Sequence, residues 1–313
     1  MDKKREKVLI VKLGYTETLE KNWSTDIVSL GDIFRTTAIL HLFKDDYVVW
    51  LTTSEGKPLL EDNLMIDRLM TFDLTSVLQL QHEHFDVVVN FEKIPGVCAF
   101  TDTISAWRRY GFRFDNHSGN SEAYESSFEL IANAENPALR RNAKTHWFEK
   151  LYDVMRQDWR GEGYVLGYSP TTKEEFDIGF NHMVGRKWPT KAWPDEYWKQ
   201  LSEIASKKYS ISWQESPGDI KGYIDWINKC RVIVTNDSLG LHLAIALKKK
   251  IVALFGSTPA NEVHLFGLGE KLVPNVNCAN IPCINSQCAS GINCMEKITP
   301  QMVLEAINRV GPK

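Results

Sequence analysis

The sequence predicts an α/β protein built from two doubly wound halves. Three observations carry this. Short β-branched runs alternate with helical patterns along the whole chain. Several runs, Phe85–Val89 and Ile251–Phe255 among them, are almost continuously apolar, as suits parallel strands buried on both faces. The 313 residues are enough for two domains at roughly 100–200 residues each. The turn-rich stretch from Gly161 to Lys173 divides the alternation, giving an N-terminal half over 1–172 and a C-terminal half over 173–313.

In the first half, Val8–Leu13 reads as the opening strand. Asp32–Phe43 follows as a helix, with Ile33, Thr37, Leu40 and Leu42–Phe43 at helical spacing. Tyr47–Leu51, Arg68–Phe72 and Phe85–Val89 read as strands, and Ser121–Asn133 and Thr145–Gln157 as helices. In the second half, Phe176–Phe180 is a strand. Pro194–Lys207 is a helix, with Pro at a tolerated first-turn position and Asp195 and Glu196 facing the dipole. Ile211–Trp213, Val232–Val234 and Ile251–Phe255 are strands. Ile220–Asn228, His242–Leu247 and Thr299–Asn308 are helices. A cleft between two such halves is the default ligand site.

Composition narrows the class. There are 37 Lys+Arg against 40 Asp+Glu, a formal charge of −3, which argues against a protein that coats nucleic acid through bulk charge. With 43% hydrophobic and 25% charged residues the chain is of ordinary globular make-up rather than disordered. No apolar run approaches the ~20 residues of a membrane helix. The basic start is followed only by Val8–Val11 before Lys12 interrupts, too short for a signal-peptide core. These readings point to a cytoplasmic enzyme or binding protein.

The strongest chemical segment runs from Val232 to Leu247. A buried strand ends in Thr235-Asn236-Asp237-Ser238 and a helix begins at once. In a parallel sheet this puts Asp237 and Ser238 at the carboxyl edge, where ligands bind. Free N–H groups around Gly240 would face a phosphate, Gly240 would let the backbone approach, and His242 would reach an anion or sugar hydroxyl. The plainer alternative is that Asp237 or Ser238 caps the helix. Ser257 and Thr258, after Gly256, suit phosphate or ribose contacts, or an ordinary turn. Arg186, Lys187 and Lys191 place three cations between a strand end and a helix start, where a diphosphate needs neutralising; the alternative is a solvated basic loop. Asp32, next to Ser29-Leu30-Gly31, is either a helix cap or a general base. Arg108, Arg109 and Arg113 mix with Trp107, Tyr110 and Phe112 in what reads as a loop, suited to an anionic acceptor or a membrane surface, or merely solvated. Cys278, Cys283, Cys288 and Cys294 cluster late in the chain. Their x4 spacings are at the loose end for zinc, and a bound Zn or Fe, reduced thiols and disulfides all remain open.

Taken in order, these segments resemble glycosyltransferase family 9, the lipopolysaccharide heptosyltransferases. The resemblance rests on Val8-Leu-Ile-Val-Lys-Leu-Gly14, Leu30-Gly-Asp-Ile-Phe-Arg-Thr-Thr37, Lys191-Ala-Trp-Pro-Asp-Glu-Tyr-Trp198, Val234-Thr-Asn-Asp-Ser through His242, Ala253-Leu-Phe-Gly-Ser-Thr-Pro259, and the Cys-containing tail with Ile298-Thr-Pro300. It implies a GT-B architecture of two Rossmann-like domains facing across a cleft, with the nucleotide-sugar in the C-terminal half and the acceptor in the N-terminal half. It implies inverting transfer of a heptose-like sugar, with ADP-heptose as donor and a lipopolysaccharide core or related glycan as acceptor, and no required catalytic metal. By position, Asp32 is the base, and Lys191, Asp237, Ser238, Gly240 and His242 contact the donor. The chain departs from the family pattern in three places. Tyr15–Ser29 is inserted before Gly31-Asp32, Leu239 intervenes before Gly240, and the stretch from Trp213 to Asp219 is short where a longer loop helps hold the nucleobase. The alternatives are a nucleotide-sugar epimerase or hydrolase on the same fold, or a non-catalytic sugar-nucleotide-binding protein.

Overall fold

The computed structural model describes residues 5–16, 25–215 and 219–311. The start of the chain, most of the Tyr15–Ser29 insertion and the middle of the Trp213–Asp219 stretch lie outside the described residues. The chain forms two compact units, the first of residues 1–139 and 147–168, the second of 140–146 and 169–313.

The strands of the first unit are β1 (Lys7–Val11), β2 (Tyr47–Thr52), β3 (Arg68–Thr71), β4 (His84–Asn90), β5 (Ser105–Phe114) and β6 (Ser121–Ala123). They lie in the order β3-β2-β1-β4-β5-β6. All pairings are parallel except β5 with β6. Helices α1 (Leu30–Thr36), α2 (Lys57–Leu60), α3 (Leu74–Gln81), α4 (Pro95–Thr103), α5 (Phe128–Glu135) and α7 (Trp147–Val154) connect or follow the strands, and α6 (Pro137–Asn142) begins in residues of the first unit and ends in residues of the second. Val8 through Val11, Val48 through Leu51 and Val87 through Val89 are all buried, as their unbroken apolar runs require.

The second unit contains β7 (Phe176–Asn181), β8 (Ile211–Trp213), β9 (Cys230–Asn236), β10 (Lys250–Leu254) and β11 (Gly269–Leu272), with α8 (Asp195–Ala205), α9 (Ile220–Lys229), α10 (Leu239–Ala246) and α11 (Pro300–Val310). The strand order is β11-β10-β9-β7-β8, and every pairing is parallel. One core cluster joins Ile178, Phe180, Val232, Val234, Val252 and Leu254 of the sheet to Trp198 and Leu201 of α8 and Val303 and Ile307 of α11. Trp193 and Trp198 are each 1% exposed and meet edge to face at 4.9 Å. Each indole buries roughly 150–250 Å², about 4–6 kcal/mol at ~25 cal/mol per Å².

Three expectations are corrected. The helix expected over Asp32–Phe43 ends as α-helix at Thr36 and continues as a 3-10 turn over Thr37–Phe43. Two consecutive threonines bond back to the preceding turn, Thr36 Oγ1 to the Asp32 carbonyl at 2.9 Å and Thr37 Oγ1 to the Phe34 carbonyl at 2.7 Å, which tightens the helix there. The helix expected from Ser121 begins only at Phe128, because Ser121–Ala123 pairs antiparallel with the open edge of β5. The stretch holding Arg108, Arg109 and Arg113 is not a loop. It lies within β5, with Val87 opposite Arg108 and Val88 opposite Arg109.

Candidate functional site

Each unit has one point where successive strands go to opposite sides of the sheet, and the crevice at the carboxyl ends there is where open α/β sheets bind ligands. In the second unit it falls between β7 and β9. The residues at those two strand ends form a connected polar cluster. Asn181 Nδ2 donates to Thr235 Oγ1 at 2.6 Å and to Ser238 Oγ at 2.9 Å, and Tyr223 Oη donates to Asn181 Oδ1 at 2.5 Å. Full burial pushes the Tyr223 phenol well above its ordinary pKa, so it serves as a donor. Asn236 Oδ1 accepts from the Trp193 N–H at 3.1 Å, tying the β9 end to the segment that carries Lys191.

Asp237 is 8% exposed and sits between two basic groups, with Lys191 Nζ 3.1 Å from Oδ2 and His242 Nε2 3.9 Å from Oδ1. Lys191 also lies 5.9 Å from the Trp188 ring centroid. Ser238 occupies the cap position of α10, yet its side chain makes no capping hydrogen bond; its hydroxyl is held by Asn181 instead. The capping alternative for Ser238 is therefore not what the fold uses. Gly240 has a physical requirement different from the one expected. A Cβ there would lie 2.3 Å from Tyr223 Oη and 2.4 Å from Asn181 Nδ2, so the glycine makes room for the polar cluster.

Ser257 and Thr258 follow β10. Ser257 Oγ lies 3.2 Å from Thr190 Oγ1 and can donate to it, and Thr258 Oγ1 is buried with no hydrogen-bond partner among the described residues. Arg186 is exposed, while Lys191 is the cation drawn into the cluster. Lys191, Asp237, Ser238, Gly240 and His242 thus share one edge of the second sheet. The residues that sequence reading passed over are Asn181, Thr190, Tyr223 and Asn236. Asn181 and Asn236 were accessible to the same rule that found Asp237, since each ends a parallel strand at the switch point.

The four late cysteines line one small cavity of about 20 Å³ with Asn280, Asn285 and Ser290. Cys278 Sγ donates to Ser290 Oγ at 3.6 Å, and Cys288 Sγ lies 3.4 Å from the same oxygen. Hydrogen bonding with Ser290 lowers the pKa of both thiols. Burial raises that of Cys283 and Cys294. Among the described residues no three His, Cys, Asp or Glu side chains are already set as a ligand group, since Cys278 and Cys288 are turned to Ser290. The tail also packs on this edge of the second sheet. Ile284 N–H donates to the Ser257 carbonyl at 2.9 Å, Thr190 Oγ1 donates to the Asn285 carbonyl at 2.5 Å, and a Cβ on Gly256 would lie 2.4 Å from Met295 Sδ.

In the first unit the switch point falls between β1 and β4. Asp32 sits in the first turn of α1 and is 3% exposed. It is not the cap; that position is Ser29. Its Oδ2 lies 2.5 Å from Lys12 Nζ, a buried ion pair. Arg108 pairs with Glu6 at 2.5 Å, Arg113 pairs with Glu122, and Arg109 donates to the Thr101 and Ile104 carbonyls. All three arginines are thus engaged within the first unit.

Residues 217–292 match the family model described as glycosyltransferase family 9 (heptosyltransferase). Lipooligosaccharide heptosyltransferase 2 of Campylobacter jejuni is 28% identical over 82 residues, which is 26% of this chain and 26% of that protein. E. coli ADP-heptose heptosyltransferase II superposes with a TM-score of 0.66 at 14% identity, covering 97% of this chain and 98% of that one. E. coli WaaC, solved with ADP-2-deoxy-2-fluoro heptose, gives 0.61 at 13% identity, covering 97% and 100%. TibC from enterotoxigenic E. coli, an iron-containing dodecameric glycosyltransferase, gives 0.56 at 12% identity, covering 98% of this chain and 76% of that one. The fold is therefore that of the GT-B glycosyltransferases. The matched segment carries Asp237, Ser238, Gly240 and His242, and over that segment the chain is similar to glycosyltransferase family 9. Among the described residues no helix is long and apolar enough to cross a membrane.

Proposed function

We propose that this protein is an inverting glycosyltransferase that moves a heptose-like sugar from a nucleotide-sugar, ADP-heptose, to a lipopolysaccharide core or related glycan. The observation that carries the reading is the Lys191–Asp237–His242 constellation at the second unit's switch point, inside and beside the family-matched segment. Solved relatives of the same fold hold ADP or an ADP-heptose analogue, which supports ADP as the nucleotide. In this reading the second unit binds the donor and the first the acceptor. Lys191 neutralises the leaving diphosphate, and Ser238, Gly240, His242, Ser257 and Thr258 line the donor pocket. Asp32 takes the proton of the attacking hydroxyl. The acceptor oxygen bonds to the anomeric carbon, the bond from that carbon to the diphosphate breaks, and the electron pair leaves with the nucleotide. A base for the hydroxyl and a cation for the diphosphate stabilise charge that develops only in the transition state. Arg108, Arg109 and Arg113 are proposed to meet the anionic acceptor by exchanging their present partners, at the cytoplasmic face of a membrane.

A thermal-shift series with ADP-, UDP-, GDP- and CDP-sugars tests the donor. ADP-heptose should raise Tm in proportion to its affinity, about 2.7 kcal/mol of stabilisation at a hundredfold excess over Kd. Mass spectrometry without acceptor should show intact donor. Free sugar or an isomerised donor at enzymatic rates would instead identify a hydrolase or epimerase, and binding without any turnover a non-catalytic protein.

A second reading concerns the cysteine cavity, since four thiols face one space and TibC is iron-containing. We propose that Zn or Fe binds there once Cys278 and Cys288 leave Ser290. Elemental analysis should find one metal per chain, lost in Cys278→Ser and Cys288→Ser. Metal-free protein from chelator-free purification would overturn this and leave the transferase reading intact.

A further inference from the structure

At the carboxyl ends of β1 and β4 the first unit buries three charged side chains together. Lys12 and Glu92 are 0% exposed and Asp32 is 3% exposed. Lys12 Nζ lies 2.5 Å from Asp32 Oδ2 and 3.3 Å from Glu92 Oε1, and it donates to the Thr16 carbonyl at 2.6 Å and the Phe91 carbonyl at 3.2 Å. Glu92 is the fixed member. Its Oε1 accepts from the Leu13 and Gly14 N–H groups at 2.8 and 2.7 Å, and its Oε2 accepts from the Thr16 N–H at 3.0 Å and Thr16 Oγ1 at 2.7 Å. Asp32 is the exchangeable member: its Oδ2 is met by Lys12, whereas Glu92 is pinned by four hydrogen bonds from Leu13, Gly14 and Thr16. Resting on the reading of Asp32 as the base, we infer that Lys12 and Glu92 are positioning residues for proton transfer, with Glu92 the permanent counter-ion that keeps Lys12 compensated when Asp32 takes the proton.

The charge count shows why two carboxylates are needed. With Asp32 ionised the triad carries one net negative charge. With Asp32 protonated it is neutral, because Glu92 still balances Lys12. With Lys12 and Asp32 alone, protonation would strand a fully buried ammonium, and an uncompensated buried charge is strongly disfavoured. Lys12 is suited to this. Burial opposes its charged form, but Asp32 and Glu92 more than offset that and hold its pKa above the ordinary lysine value. The other charged or titratable groups of this corner are Lys93 next to Glu92, and Tyr15, whose pKa is raised by burial and by the charges of Glu55 and Glu92.

The test is the pH profile of kcat/KM for transfer from ADP-heptose. Glu92→Gln removes a negative neighbour and should move the acid limb about one pH unit lower. Lys12→Met removes the cation and should move it about one unit higher. Shifts in the same direction, or none, overturn the inference, because a merely structural role predicts lost amplitude without opposed shifts. Glu92→Asp, which keeps the charge, should restore the wild-type position. ADP binding and Tm report that each variant is folded. In wild-type protein, needing no variant, the Lys12 15Nζ resonance should move with the same midpoint as the kinetic acid limb; a resonance indifferent to that limb also overturns the inference. Asp32→Asn separates the two levels. Full turnover in that variant defeats the base reading itself, whereas an inactive Asp32→Asn with unopposed shifts defeats only the roles given to Lys12 and Glu92.

Discussion

Asp32→Asn is expected to lower the rate of sugar transfer by roughly 10²–10⁴-fold, the range that general-base catalysis contributes, while leaving donor affinity as it is. The side chain keeps its shape and loses only its capacity to accept a proton. The expected split follows from the fold. Asp32 belongs to the first unit, and the residues proposed to hold the nucleotide belong to the second. A kcat that falls with an unchanged Kd for ADP is the signature of an interaction made only in the transition state. Calorimetry with ADP and a transfer assay with ADP-heptose read the two quantities separately. Transfer at the wild-type rate would remove Asp32 from catalysis.

The second large effect is expected at Lys191. Lys191→Met should weaken ADP binding by roughly 10–150-fold, the loss of about 1.5–3 kcal/mol for a hydrogen bond to a charged group. The variant also leaves Asp237, 8% exposed, without its nearer cation, and His242 stands at 3.9 Å. Asp237→Asn should act differently. It releases Lys191 from its ion pair, so its effect on the diphosphate is smaller and falls on how the lysine is aimed. Lys191→Arg should recover part of the affinity, since charge survives while the compact ammonium is replaced by a planar fork. Unchanged ADP affinity in Lys191→Met would take this residue out of the donor site.

How far the sequence carried these assignments differs from element to element. The β-strands with unbroken apolar runs were legible because burial on both faces leaves no polar position to confuse the pattern; β1, β2, β4, β9 and β10 all fall where Val, Ile and Leu run together. Residues 121–123 and the arginine-bearing β5 were not legible in the same way. Their strand character comes from pairing at an exposed sheet edge, a non-local contact that leaves only a mixed local pattern. At the carboxyl edge of the second sheet, the Thr-Asn-Asp-Ser run after a buried strand marked the candidate site, because strand end, small polar residues and helix start are consecutive in the chain.

The roles of single residues divide along the same line. The sequence by itself determined the class: alternating elements, two α/β halves, and ordered segments that resemble a known family. Those features are local, written in periodicity and in short runs, and so survive reading one residue at a time. Only the tertiary structure decided that Gly240 makes room for Tyr223 and Asn181, that Ser238 is held by Asn181 and caps nothing, and that the cysteine tail rests on the Ser257 loop. It alone decided that Lys12 and Glu92 close around Asp32. Lys12 and Glu92 are 80 positions apart in the chain. Parallel pairing of β1 with β4 brings their carboxyl ends side by side, and burial then makes each charge depend on the others. That dependence arises from low dielectric and close approach, which no run of neighbouring residues encodes.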